Sequence, residues 1–160
     1  MTERHGQVFD LVTGHGYCAM LISDPDSDEP DWGYSVGFPK SLGQGEVIVF
    51  GLSDDVHRHM ICEVFAKCQG VGLRLTDGVR IDGLLQGFDV IARKVHVSNI
   101  HADHLRFAMW CSLFMCHQPL TEVYQLVWPS AATGLFPWEP GCHPDVIALQ
   151  PALYEPRLNS

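Results

Sequence analysis

The sequence is short of positive charge. Its 160 residues hold ten Lys and Arg, only three of them lysine (Lys40, Lys67 and Lys94), against nineteen Asp and Glu, for a net charge of −9. Such a chain lacks the basic field that holds phosphate backbones or anionic lipid, so neither nucleic acid nor a membrane surface is an expected partner. Long apolar runs are also missing: no stretch approaches the roughly 18 consecutive apolar residues of a membrane span. The opening Met1-Thr-Glu-Arg-His-Gly has no apolar segment behind its one arginine, so the chain reads as cytoplasmic. The six cysteines (Cys18, Cys62, Cys68, Cys111, Cys116 and Cys142) form no C-x-x-C pair. Without a secretory signal they read as free thiols, most of them small core residues. Internal repeats and low-complexity tracts are absent.

Apolar side chains are plentiful, at 46% of the chain against 18% charged. A chain of this length reads as a single domain over residues 1–160, and folding should bury roughly 68–70% of its unfolded surface. The run Tyr17-Cys-Ala-Met-Leu-Ile22 shows no alternation and predicts a strand covered on both faces. Trp32 to Phe38, ended by Pro39, Gly43 and Gly45, and Glu46-Val-Ile-Val-Phe50, closed by Gly51, predict two more, most simply paired as a meander. Ser53 before Asp54 and Asp55 is an N-cap followed by first-turn carboxylates, and predicts a helix to about Gln69. Val56, His57, Met60, Ile61, Val64, Phe65 and Cys68 share half of it.

Beyond the turn-rich stretch at Thr76-Asp-Gly78, Gly87 to Val95 predicts a fourth strand, Ile100 to Cys116 a second helix and Val123 to Trp128 a fifth strand. Residues 129–160 carry six of the ten prolines together with Phe136, Trp138 and Tyr154. Proline argues against regular structure and the aromatics against a free tail, so a coil packed on the body is expected. The fold class is then α+β: a mostly antiparallel sheet of about five strands, two principal helices and a packed C-terminal coil.

Catalytic motifs fail on context. Gly33-Tyr-Ser-Val-Gly37 matches the G-x-S-x-G elbow, but Pro39, Gly43 and Gly45 stand where that elbow needs a helix, so Ser35 reads as part of a plain strand. Asp24-Pro-Asp26-Ser-Asp28 opens like a calcium loop, yet Glu29 and Ser35 occupy the positions that need glycine and glutamate. A solvated acidic turn is the simpler reading. His101, His104, Ala108, Cys111 and Met115 share a stripe of the second predicted helix, with His96 and His117 beside it, and His57, His59 and Cys62 lie on the first. No paired ligand spacing occurs, so the stripe reads as packing, and neither a metal nor a cofactor is expected. Glu46 and Gln125 lie on apolar strand faces and must find partners when buried. Glu46 could serve as a backbone acceptor at a strand end or as part of a pocket.

Six motifs occur in order: His15-Gly-Tyr17, Tyr34-Ser-Val-Gly-Phe38, Glu46-Val-Ile-Val-Phe-Gly-Leu52, Gln125-Leu-Val-Trp-Pro129, Gly134-Leu-Phe-Pro-Trp-Glu139 and Gln150-Pro151. Over about residues 8–153 the chain thereby resembles the bacterial domain-of-unknown-function family 4262, which carries H-G-W/Y, Y-T-x-G-L, P-E-L-V-V-F-G-L, Q-L-V-W-P-D and F-P-W-E at similar spacing. Departures are Ser35 for threonine, Phe38 for leucine, Gly45 for the proline before the glutamate, and Ser130 for the aspartate after Pro129. The last removes a carboxylate that any acid/base role there would need. The resemblance implies a bacterial cytosolic domain and transfers no catalytic residue.

Two functional readings follow. The first is a non-catalytic module that binds a small molecule or a protein, a second copy of the chain included. The alternative is a small enzyme using His15 and Glu46 as acid/base groups. In an up-down-up meander both residues lie at one sheet end, with Ser35 near them and Tyr34, Gln125, Trp128 and Trp138 available as walls.

Overall fold

The computed structural model describes residues 2–156, arranged as a six-stranded mixed sheet in the order β1-β2-β3-β6-β5-β4. The strands are β1 (Cys18–Ile22), β2 (Trp32–Val36), β3 (Glu46–Phe50), β4 (Arg80–Leu85), β5 (Phe88–Lys94) and β6 (Val123–Val127). The helices are α1 (Glu3–His15), α2 (Phe38–Leu42), α3 (Asp54–Gly70), α4 (Ala102–Cys116) and α5 (Pro144–Leu149). The expected meander is present, with β1, β2 and β3 antiparallel neighbours. β6 then lies parallel to β3 and antiparallel to β5, so every pairing except β3 with β6 is antiparallel.

Pleating sends alternate residues to two cores. On one face Met20, Trp32, Tyr34, Ile48, Phe50 and Val123 pack with Val8 and Val12 of α1 and with Leu105, Ala108 and Cys111 of α4. On the other, Val47, Val49, Tyr124, Leu126, Val90 and Ala92 meet Met60, Ile61, Val64 and Phe65 of α3. α3 begins as the capping signal requires, the Ser53 hydroxyl accepting from Val56 N–H at 3.3 Å.

Several expectations need correcting. The sheet has six strands where about five are expected. β4 occupies what reads as a turn-rich stretch, because Arg80, Asp82 and Gly83 break the apolar alternation that marks a strand. α1 goes unread because its apolar stripe is thin, with only Val8 and Val12 buried, yet Thr2 caps it and Gly16 ends it in a left-handed conformation. α2 is a helix directly after Gly37, where Phe38 reads as strand and Pro39, Gly43 and Gly45 as excluding a helix, so a missing helix no longer counts against a Ser35 elbow. Pro39 sits in its first turn, where the missing N–H costs nothing. Pro144 opens α5 in the same way inside the supposedly irregular C-terminal segment. β1 is covered less than a two-sided strand should be, since Ala19, Leu21 and Ile22 are only half-buried.

Candidate functional site

Glu46 starts β3 and is 1% exposed. It sits where β2 and β3 part: beyond the Tyr34–Ile48 pair the ladder stops, and side chains take over from backbone. The Ser35 hydroxyl accepts from Val47 N–H at 2.9 Å and donates to Glu46 Oε1 at 2.7 Å. Gly37 N–H donates to Oε2 at 2.8 Å and Phe38 N–H to Oε1 at 3.1 Å. One carboxyl therefore closes the gap between two strands and also holds the entry to α2. Gly37 is required at the turn: its φ is +111° and an added Cβ would lie 2.9 Å from a Val12 methyl. Burial pushes the Glu46 carboxyl up to about 7, against the opposing pull of its three hydrogen-bond donors. Ser35 is no strained nucleophile, since His117 is the one non-glycine residue with positive φ among those described.

Gln125 and Gln150 form a second closed polar group. Gln125, fully buried, donates to Pro151 C=O at 2.8 Å and accepts from Leu153 N–H at 3.0 Å. Gln150 bridges both backbone groups of Trp128, at 3.0 and 2.9 Å, while the Trp128 indole donates to Phe50 C=O at 2.8 Å. Two amides thus strap the C-terminal segment to β6. Trp138 lies farther along that segment, stacked on Phe136, with the Arg93 guanidinium 4.6 Å from its ring centre and 4.5 Å from that of Tyr154.

The seven residues singled out from the sequence therefore occupy several places. Ser35 and Glu46 are in direct contact, and Gln125 and Trp128 share the strap. His15 is exposed at the end of α1 and lines an open depression with Leu11, Tyr17, Cys18, Ala19 and Arg58, which does not include Glu46. A polar dent of about 280 Å³ at the Glu46 end of the sheet is lined by Gln44, Gly45, Ser112, Cys116, Gln118, Glu122 and neighbouring residues, and it reaches neither His15 nor Glu46.

Tyr34 reaches a different opening. α4 is interrupted at Leu105 (φ −133°, ψ 29°), and an interruption releases backbone groups from the helical ladder. Two aromatics of β2 take them up: Trp32 donates to His104 C=O at 3.0 Å, and the Tyr34 hydroxyl accepts from Phe107 N–H at 3.2 Å. Burial pushes the Tyr34 phenol up to about 12, so it stays protonated. Between β2 and the kink lies a cleft of about 260 Å³ walled by Ile22, Trp32, Tyr34 and Phe107, with Asp103, His104 and Arg106 as its polar members. His104 also faces Glu29 at 3.9 Å. Sequence reading missed Trp32 and Phe107. The strand-opening tryptophan was the available signal, whereas nothing in the residue pattern marks the kink.

Among the described residues no group of three or more His, Cys, Asp or Glu side chains converges as metal ligands would. His101 and His143 instead cap helices, accepting from Asp103 and Asp145 N–H. The acidic loop forms an Asx turn, Asp24 accepting from Asp26 N–H at 3.0 Å. His57 is fully buried, and burial lowers its pKa. Its Nε2 accepts from Leu52 N–H, which places the proton on Nδ1. Within the described residues no helix is long and apolar enough to cross a membrane.

No curated protein and no solved structure matches the chain. A family model does: residues 11–143, most of the chain and five of the six motifs, match the family described as Domain of unknown function (DUF4262), and the chain belongs to that family.

Proposed function

We propose that the protein is a non-catalytic binding module whose ligand site is the aromatic cleft at the α4 kink. One contrast carries this reading. Glu46, Ser35 and Gln125, the polar residues most suggestive of chemistry, are engaged with neighbouring backbone inside the sheet. The cleft is open, apolar on its walls and polar at a few points, the usual make-up of a small-molecule site. A small, flat, mainly apolar ligand with one polar end suits it. The net charge of −9 speaks against nucleic acid and anionic membranes as partners. Six free cysteines, including the exposed Cys62, support a reducing, cytoplasmic setting.

The experiment is chemical-shift mapping with a library of small aromatic fragments. Shifts gathered at the Trp32 indole N–H and the His104–Phe107 amides are expected, and hits that leave these signals unmoved would count against the cleft. The alternative, an enzyme using His15 and Glu46, draws support from a carboxyl titrating near 7, the range useful for proton transfer. Against it stand the exposure of His15 and the enclosure of Glu46. A fragment that moves the Glu46 titration and the His15 ring signals together would favour the enzyme.

A further inference from the structure

The two free edges of the sheet are built differently. β4, at one edge, carries Arg80, Asp82 and Gly83, the last at φ +79°, and its pairing with β5 shifts register between Ile81 and Leu85. Charges, an irregular register and a glycine are the devices by which natural sheets prevent another chain from adding to an edge. β1, at the other edge, reads Cys-Ala-Met-Leu-Ile, without charge, proline or glycine. It pairs with β2 in unbroken register from Cys18–Val36 to Ile22–Trp32. Among the described residues, alternate N–H and C=O groups along its outer side therefore have no strand to meet.

That outer side is not a bare rim. All five β1 residues line a depression of about 290 Å³ whose wall includes Arg4, Gln7 and Leu11 of α1 and Arg58 of α3. A second, of about 430 Å³, continues past His15 and Tyr17 and shares Leu11, Cys18, Ala19 and Arg58 with the first. Together they make one groove along the strand, with a helix on either side. Among the described residues two arginines and a histidine line it and no Asp or Glu does, in a chain of net charge −9. Arg58 meets Asp55 at 3.3 Å, but both side chains are well exposed and such a pair holds little free energy.

We infer that the β1 edge docks an extended peptide segment of a partner protein, one that alternates apolar with acidic residues and adds to the sheet as a further strand. Main-chain hydrogen bonds supply affinity in this mode, and the side-chain groove supplies selectivity. Consecutive residues of an added strand face α1 and α3 in turn, so in one register its acidic residues meet Arg4 while its apolar residues cover Ala19 and Leu21, and in the other they meet Arg58 while its apolar residues cover Leu11. A second copy of the chain is the poorer occupant. Two β1 edges related by a two-fold axis would bring both sets of Arg4 and Arg58 together with no groove-lining carboxylate between them. The inference is independent of the ligand cleft, which shares only Ile22 with the groove.

The test titrates the whole protein with three labelled peptides about eight residues long, a common strand length. One alternates Val with Glu, one alternates Val with Lys, and the third is the Val/Glu peptide methylated at alternate backbone nitrogens. The Val/Glu peptide should bind and slow hydrogen exchange at outward-facing amides of β1, and the other two should bind at least about tenfold more weakly. The double variant Arg4→Glu/Arg58→Glu, on exposed helix positions, should reverse the preference toward the Val/Lys peptide. Several outcomes would overturn the inference: no binding of the Val/Glu peptide, equal binding of the methylated or Val/Lys peptide, exchange protection at β4 instead of β1, or self-association through β1. Signals at the Trp32 indole report the cleft separately, so either proposal can fail without the other.

Discussion

Tyr34 and Ser35 are neighbours on β2, yet pleating sends them to opposite faces and into two unlike environments. Ser35 joins Glu46, Gly37 and Phe38 in a closed knot in which each donor meets an acceptor. Tyr34 closes one gap at the α4 kink and then forms the wall of an open, mainly apolar cleft. The knot holds the chemically suggestive residues, each hydrogen-bonded to its neighbours. The cleft holds residues that look like ordinary core and has room for a ligand. Buried polarity is expensive unless matched, so where matching is complete the polar group is already occupied in holding the fold.

The largest expected effect breaks the knot. Glu46→Ala would leave the Gly37 and Phe38 N–H groups and the Ser35 hydroxyl without their acceptor, and should cost about 3–5 kcal/mol, read as a lowered urea midpoint. A pH series sharpens the same point. The folded carboxyl is raised from 4.5 to about 7, so between those values the native state holds more protons than the unfolded chain. Stability contributed by Glu46 should be fully present below about 4.5 and decline as pH rises to about 7, by on the order of 3 kcal/mol. Glu46→Gln should remove that slope. The lowered His57 gives the opposite slope, with stability falling as pH drops below its ordinary 6.5, and should remain in Glu46→Gln.

Gln125→Leu comes next. It leaves Leu153 N–H and Pro151 C=O unpartnered and should cost about 2–3 kcal/mol, with limited proteolysis accelerating in the segment after Trp128 before global unfolding. The smallest effect tests the cleft. Tyr34→Phe removes one acceptor from the kink and should cost about 1 kcal/mol in thermal unfolding, while changing fragment affinity more than Ser35→Ala does. Equal effects of the two variants on affinity would erase the functional distinction between knot and cleft.

Residue pattern made the helix after Ser53, the three-strand meander and the need of Glu46 and Gln125 for partners legible, because caps, apolar runs and stranded polar groups are local signals. The sequence places His15, Glu46 and Ser35 near one sheet end and leaves Glu46 two readings, a backbone acceptor or part of a pocket. His15 shares the sheet end with Glu46 by topology, but its side chain is exposed while that of Glu46 is enclosed, a difference set by how α1 packs. The short helices at Phe38 and Pro144 and the guarded strand β4 escaped detection, since proline at a first helical turn and charge on an edge strand both resemble loop chemistry.

The sequence by itself determined the α+β class, a net charge of −9 and membership of a family through ordered motifs. Only the tertiary structure decided that β6 lies between β3 and β5, that the two glutamines strap the C-terminal segment, and that α4 breaks at Leu105 against Trp32 and Tyr34. It also decided which strands form the sheet edges. Local propensity acts over a few residues, whereas strand order, edge exposure and a helix interruption depend on contacts between segments far apart in the chain, such as Trp32 with His104 across 72 positions.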